Sequence, residues 1–326
     1  MLSLHDIEWI LAPMDGVTDH PYRNAWMEVF GNDSRPHAGR LMHKAVSPFV
    51  SLVQGEKIKR SHIADLLPQN NLMDVEPQVL GNDADCFLVM AKTLADLGYR
   101  SVNWNLGCPK PQIAAKQRGS GLLPHPDRID AFLNRVVPAS PLPLSVKIRL
   151  GYRSPDEVFK VIEVLNRYPL VYVAVHPRIG TQLYGGEADW NRFEETLRLL
   201  SAPCIYNGDI HSVQKAKEFV SRFGKGEHKV KSVMIGRGVI ANPFLPGMLA
   251  GLSYSPADMQ ILFARFVQTL WSNHLACGLR PLSALQRQKL YWSQFQGPFL
   301  PPTAFSHIKT LQDPDFYERF IYSFPC

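Results

Sequence analysis

The chain has 326 residues, 45% of them hydrophobic and 20% charged, with a formal charge of +6 and a pI near 9.0. This is the composition of a soluble globular protein, long enough for one barrel-sized unit plus a smaller one. No run approaches the roughly eighteen apolar residues of a membrane span. Met1-Leu2-Ser3-Leu4-His5-Asp6 lacks the basic-then-apolar order of a signal peptide, so a cytoplasmic monomer without a membrane partner is expected. Cys86, Cys108, Cys204, Cys277 and Cys326 have neither disulfide-framework nor metal-ligand spacing, which points to free thiols and no metal. The positive balance suits a polyanionic partner without demonstrating one. Basic clusters occur at Lys57, Lys59 and Arg60, at Lys110, Lys116 and Arg118, at Arg222, Lys225, Lys229 and Lys231, and at Arg280, Arg287 and Lys289. Each reads first as a solvated surface.

Along the chain, short apolar runs alternate with amphipathic stretches, the pattern of repeated βα units. Strands are predicted at Trp9–Pro13, His37–His43, Glu76–Leu80, Ser101–Asn105, Leu144–Arg149, Val171–His176, Cys204–Asn207 and Ser232–Ile235. Helices are predicted at Pro21–Phe30, Asp83–Leu97, Asp127–Val137, Asp156–Tyr168, Trp190–Leu200 and Val213–Phe223. The stretch Ser47–Gln69 is polar and irregular, so the second unit fits least well. Eight such units in about 240 residues make an α/β fold, a (β/α)₈ TIM barrel. No GxGxxG opens a helix after the first strand, which disfavours an open doubly wound sheet. The composition changes after Pro246. Helices are predicted at Pro256–Leu275, Leu282–Phe295 and Pro314–Tyr322, with a Pro-rich joint at Gly297–Pro302. The expected division is a barrel over 1–250 and a small C-terminal helical bundle over 251–326.

Barrel enzymes place their chemistry at the C-terminal ends of the strands. Those ends carry Pro13 and Met14, Gln78, Asn105 before Gly107-Cys108-Pro109, Lys147 with Arg149, His176 with Arg178, Asn207-Gly208-Asp209, and Gly236-Arg237-Gly238. Glycines with an arginine after the last two strands are the pattern of a phosphate-binding site; tight turns are the alternative. Lys147 and Arg149 share one strand face, opposite Val146 and Ile148; Lys147 reads as pointing into the barrel or as an ordinary lysine at the strand's outer mouth. An inward lysine calls for an anion, and the electron-rich edge of a reduced flavin is one. His176 reads as a ligand contact or as a core histidine. Cys108 sits on a constrained Gly-Cys-Pro turn, and an ordinary thiol near pKa 8.5 keeps its proton at neutral pH. It can therefore act as an acid without prior activation.

LAPMDGVTD (Leu11–Asp19), NLGCP (Asn105–Pro109), SVKIRLG (Ser145–Gly151), VHPR (Val175–Arg178), NGDI (Asn207–Ile210) and MIGRG (Met234–Gly238) follow the order seen in dihydrouridine synthases. The chain resembles that family from Leu11 to about Pro243, and Arg287-Gln288-Lys289-Leu290-Tyr291 resembles the basic helix of its C-terminal domain. The resemblance implies bound FMN, NADPH as reductant and tRNA as partner, with uridine reduced to 5,6-dihydrouridine. It implies that Pro13, Met14, Gln78, Lys147 and His176 face the flavin ring, and that Asn207, Gly208, Asp209, Gly236 and Arg237 lie at its phosphate. Asn105, Arg149, Arg178, Arg287 and Lys289 would serve the RNA, and Cys108 would be the proton donor. The chain departs from the family pattern at Gly39-Arg40-Leu41-Met42-His43-Lys44, where a Ser/Thr-Glu pair is usual, and at Pro177, where glycine is usual. A flavin barrel acting on a small molecule and a non-catalytic RNA-binding relative are the competing readings.

Overall fold

The computed structural model describes residues 2–31, 41–54, 58–299 and 308–324. Among the described residues ten strands run β1 Glu8–Leu11, β2 Lys44–Val46, β3 Val50–Ser51, β4 Asp74–Glu76, β5 Gln78–Leu80, β6 Val102–Leu106, β7 Leu144–Gly151, β8 Val173–Ile179, β9 Cys204–Asn207 and β10 Ser232–Ile235. All pair in parallel, in the order β3-β5-β6-β7-β8-β9-β10-β1-β2-β4. The two ends of that order join, because β2 and β3 are successive pieces of one barrel strand and β4 and β5 of the next. β2 pairs with β4, and β3 with β5. The result is an eight-position parallel barrel, as the alternating pattern predicts.

Two chemical causes split these strands. Pro48 stands between β2 and β3 and Pro77 between β4 and β5, and proline has no N–H to give to a ladder. Bonds to the gap residues bridge the break: Ser47 N donates to Glu76 O (3.0 Å), and Gln78 N to Ser47 Oγ (2.9 Å). The strand predicted at His37–His43 is therefore misplaced. Residues 37–40 lie outside the described residues, Leu41–His43 precede the strand, and the second barrel position is filled by Lys44–Val46 and Val50–Ser51. Three- and two-residue pieces around a proline give no alternation long enough to read. The comparison of Gly39–Lys44 with the end of a second strand thus falls on the wrong residues.

Helices α1 His20–Trp26, α2 Ala84–Asp96, α3 Pro111–Ala114, α4 Pro126–Val136, α5 Glu157–Leu165, α6 Trp190–Leu199, α7 Val213–Phe223, α8 Arg237–Ala241 and α9 Leu245–Leu249 surround the barrel. The predicted helices fall on α1, α2 and α4 to α7 within a few residues. Asp83, Asp189 and Ser212 cap α2, α6 and α7 by accepting from Cys86 N, Arg192 N and Lys215 N. Along β6 and β7 the pleat sends Trp104, Val146 and Ile148 outward into the main core, with Trp104 stacked on Phe132 at 3.8 Å. Asn103, Asn105, Ser145, Lys147 and Arg149 occupy the alternate, inward positions. A second apolar cluster of Ile10, Ala12, Val46, Tyr172, Ala174, Ile205 and Met234 lies on the inward positions of the other strands.

The C-terminal segment forms α10 Pro256–Ala276, α11 Pro281–Trp292 and α12 Pro314–Tyr322, the three helices predicted there. Residues 300–302 of the expected Pro-rich joint lie outside the described residues. Trp292 Nε1 donates to Tyr317 Oη (2.9 Å), and the Tyr317 hydroxyl to Gln288 Oε1 (3.1 Å). The segment shares one continuous core with the barrel. Tyr22 of α1 stacks on Tyr291 of α11 at 5.4 Å and meets Phe266 of α10 edge-on at 5.7 Å, while the Tyr291 hydroxyl donates to Val17 O (2.7 Å). Tyr291→Ala is expected to cost about 4 kcal/mol, the scale for deleting a buried aromatic ring. Urea unfolding followed by tryptophan fluorescence checks this, with barrel and tail melting in one transition; a separate early transition of the tail is the contrary result.

Candidate active site

At the C-terminal ends of the strands lies a cleft of about 540 Å³. It is lined by Pro13 and Met14 after β1, Gln78 of β5, Asn105 of β6, and Cys108 with Lys110 on the loop beyond it. Lys147 and Arg149 of β7, His176 of β8, Asn207 and Gly208 after β9, and Gly236 with Arg237 after β10 complete it. Twelve of the sequence-selected residues thus meet in one cavity. Parallel strands make this possible, since they bring all eight C-terminal ends to the same rim.

The cleft floor is cationic and poorly compensated. Lys147 is 8% exposed and has no carboxylate partner among the described residues. Burial, together with the Arg149 charge, pushes its ammonium down to about 7. Arg149 is engaged by backbone, donating to Gly107 O (3.0 Å) and Ile179 O (2.9 Å), and it lies over the Tyr184 ring. Burial and the charges of Arg149, Lys147 and Arg178 hold His176 well below the usual imidazole range. Arg178 Nη1 lies 3.1 Å from His176 Nε2. Because arginine can only donate, Nε2 accepts and the ring is neutral, with its proton on Nδ1.

Asn105 shapes the Cys108 turn. Its Oδ1 accepts from Gly107 N (3.0 Å) and Cys108 N (2.8 Å). Ser120 holds the other side, donating through N and Oγ to Cys108 O, each at 3.0 Å. Gly119 is required for that approach: it has φ +56°, and a Cβ there would meet Cys108 O at 2.6 Å. Burial pushes the Cys108 thiol above its ordinary range, so the sulfur carries a proton at neutral pH.

The remaining sequence-selected residues sit beside the cleft. Arg178, 1% exposed, forms an ion pair with Asp209 (2.5 Å), which also binds Arg237 (2.6 Å). Burial pushes the Asp209 carboxyl up, but hydrogen bonds from His211 and Arg178 and the Arg178 charge outweigh it and hold it far below the carboxylate range. Gly208 and Gly238 have packing reasons to be glycine: a Cβ would lie 2.0 Å from Tyr206 Oη and 2.1 Å from Ile210 O respectively. Arg287 of α11 turns inward, donating to Gly16 O and facing Asp19 at 4.0 Å. Lys289, half-buried on α11, is not part of the cleft lining.

Five further residues of the cleft, Asp15, Lys110, Leu183, Tyr184 and Gln294, were not among the site residues chosen from the sequence. Lys110 forms an ion pair with Asp15, joining the Cys108 loop to the loop after β1. Leu183 and Tyr184 overhang the cleft from the Gly180–Gly186 loop, and Gln294, just beyond α11, brings the tail to its wall. An aromatic residue inside a glycine-rich loop was the available signal for Tyr184. Nothing local signals Asp15 with Lys110, because 95 residues separate them. Asp209→Asn is expected to destabilise the fold by about 3 kcal/mol at pH 7, since it leaves buried Arg178 without its counter-charge. A depressed folded-state pKa confers stability that is present above the unfolded value and lost as pH falls below it. The difference should therefore shrink below about pH 4, as urea titrations at pH 7 and pH 3 would reveal.

Comparison with known proteins identifies relatives of the chain. The sequence profile described as "Dihydrouridine synthase (Dus)" matches residues 10–282. A tRNA-dihydrouridine synthase B of Pseudomonas putida is 31% identical over 72% of this chain and 66% of its own length, so the chain spans just under two thirds of that relative. A protein named probable tRNA-dihydrouridine synthase, of Rhizobium leguminosarum bv. phaseoli, is 32% identical over 74% of this chain and 71% of its own. Among solved structures, the histamine dehydrogenase of Rhizobium sp. 4-9 is similar in fold, with TM-score 0.52 at 11% identity over 80% of this chain and 49% of that one. The chain belongs to the dihydrouridine synthase family.

Proposed function

We propose that the chain reduces uridine in tRNA to 5,6-dihydrouridine in the cytoplasm, with FMN as bound cofactor, NADPH as reductant and Cys108 as proton donor. The observation that carries this reading is a protonated thiol on a fixed turn above a buried, uncompensated cationic floor.

The residues present fit FMN. Lys147 is buried without a carboxylate partner and calls for an anion; Gln78 offers an amide, and Pro13 and Met14 an apolar wall. A cleft of about 540 Å³ is in the range of small-molecule sites. In this reading Pro13 and Met14 pack on the ring, Gln78 and Lys147 bond its polar edge, and Asn207, Gly208, Gly236 and Arg237 hold the phosphate. Asp209 orients Arg237. When bound and reduced, FMN would supply the hydride for C6 of uracil. Cys108 gives its proton to C5, and the turn bonds from Asn105 and Ser120 hold its sulfur in place for that transfer. His176, neutral, hydrogen-bonds substrate without adding a charge, and Asn105 stands beside the uracil. Arg149 and Arg178 fix the site's walls by their backbone and carboxylate bonds. A uridine must leave the RNA stack to enter, so the tail over 251–326, with Lys289 on α11, grips backbone phosphates. Arg287 supports the loop after β1.

Cys108→Ala is expected to lower dihydrouridine formation on tRNA by about 10² to 10⁴, the range for removing a general acid, with flavin absorbance retained. Since burial raises the thiol's pKa, the rate should hold through the ordinary thiol range near pH 8.5 and fall only above it. A map of dihydrouridine in cellular tRNA that is unchanged on deletion of the gene overturns the reading; equal turnover of free uracil points to a small-molecule enzyme. With Lys147 near 7 in the free protein, flavin binding should weaken as pH rises above 7, because a neutral amine must first take up a proton. Fluorescence titration checks this, and Lys147→Met should abolish the pH dependence.

A further inference from the structure

Beneath the cleft the barrel interior holds an unbroken chain of polar side chains. Glu76, 5% exposed at the end of β4, accepts from three hydroxyls: Ser101 Oγ (2.9 Å) and Ser145 Oγ (2.8 Å) on Oε1, and the Tyr172 hydroxyl on Oε2. Burial and the Glu76 charge push Tyr172 well above the usual phenol range, so it keeps its proton to donate. Above Glu76, Asn103 Nδ2 donates to Ser145 Oγ (2.8 Å) and Gln78 Nε2 to Asn103 Oδ1 (2.8 Å). Asn105 Nδ2 donates to Gln78 Oε1 (2.6 Å), and Asn105 Oδ1 accepts from Gly107 N and Cys108 N.

Both ends of this chain are fixed by chemistry. A carboxylate can only accept, and backbone N–H groups can only donate. Between them Ser145, Asn103, Gln78 and Asn105 have a single consistent order, every member donating toward Glu76 and accepting from above. An amide in such a chain is held from both sides and cannot turn over alone without setting donor against donor.

We propose that Glu76 is a positioning residue which sets the donor–acceptor sense of Asn103, Gln78 and Asn105 and thereby holds the Cys108 turn and the cleft-facing amide of Gln78. It rests on the reading of Cys108 as proton donor, and it adds a residue at the opposite end of the barrel strands to that role. The logic is a count of acceptors. Two carboxylate oxygens take three hydroxyl protons, whereas a glutamine at 76 supplies one oxygen and adds an N–H₂. Ser145 can fall back on Val102 O (3.4 Å), but the Tyr172 hydroxyl, whose other contact is the donor Asn103 Nδ2 (3.4 Å), then has no acceptor unless Asn103 turns its Oδ1 toward it. That turn reverses Gln78 and Asn105 in succession and puts Asn105 Nδ2 against the Cys108 N–H.

The test uses the purified chain and needs no turnover. Deuterium uptake at the Gly107 and Cys108 amides and the iodoacetamide alkylation rate of Cys108 are measured in wild type, Glu76→Gln and the double variant Glu76→Gln/Tyr172→Phe. Glu76→Gln should raise both by about fivefold, the ratio that corresponds to one lost hydrogen bond of ordinary strength, with Cys86, Cys204 and Cys277 unchanged. The double variant should return toward wild type, because it deletes the hydroxyl proton left without an acceptor. A rise shared by Cys86, Cys204 and Cys277, or a double variant worse than the single, overturns the proposal and leaves Glu76 a packing residue. If Glu76→Gln does not fold, Ser145→Ala, which cuts the chain by one oxygen, must raise exchange at the same two amides; unchanged exchange overturns the proposal. A chain that shows the local loosening yet makes no dihydrouridine would defeat the functional reading and leave the positioning role standing.

Discussion

Four basic side chains, Lys147, Arg149, His176 and Arg178, are buried at one end of the barrel, and among the described residues only Asp209 meets any of them in an ion pair. Placing so much positive charge out of water is costly unless something compensates it. Each residue is handled differently. Arg178 is neutralised by Asp209, Arg149 is bonded to two carbonyls, His176 gives up its proton, and Lys147 is left with a depressed pKa facing the cleft. Lys147 thus lines the cleft with no carboxylate partner among the described residues.

The rest of the architecture serves this constraint. Helices around the parallel barrel bury its outer face and leave the interior free to be polar, which an antiparallel sheet with one wet side would not require. Layers alternate within the interior: apolar residues from β1, β8, β9 and β10 on one side, and the polar chain from β4 to β7 on the other. Glycine and proline act at particular points. Gly119 lets the following loop press on Cys108, and Pro48 and Pro77 break two strands so that Ser47 and Gln78 turn toward each other. The tail belongs to the same scheme. Through Tyr291 and Arg287 it fastens Gly16 and Val17, the loop that also carries Met14 and Asp15 into the cleft.

Much of this was legible in the residues. Seven of the eight strand positions, six flanking helices and three tail helices follow from periodicity, because burial of one face writes itself into the sequence at intervals of two or 3.6. The strand ends gave Gln78, Asn105, Cys108, Lys147, His176, Asn207 and Arg237, all of which meet in one cleft. The second strand was not legible, since five residues broken by a proline leave no pattern. Arg287, grouped by sequence with a surface cluster, turned out to face backbone at Gly16.

What the sequence by itself determined is the set of chemical groups and which face of each strand they occupy, because alternation is a local property of an extended chain. It also determined family membership through the ordered motifs from Leu11 to Gly238. Only the tertiary structure decided which groups touch. Lys110 meets Asp15 across 95 residues, and Tyr172 reaches Glu76 across 96. Such pairs, and the shifts of pKa that follow from burial and neighbouring charge, depend on distances that no local pattern encodes. For that reason a glutamate outside every recognisable motif could escape notice until the barrel closed around it.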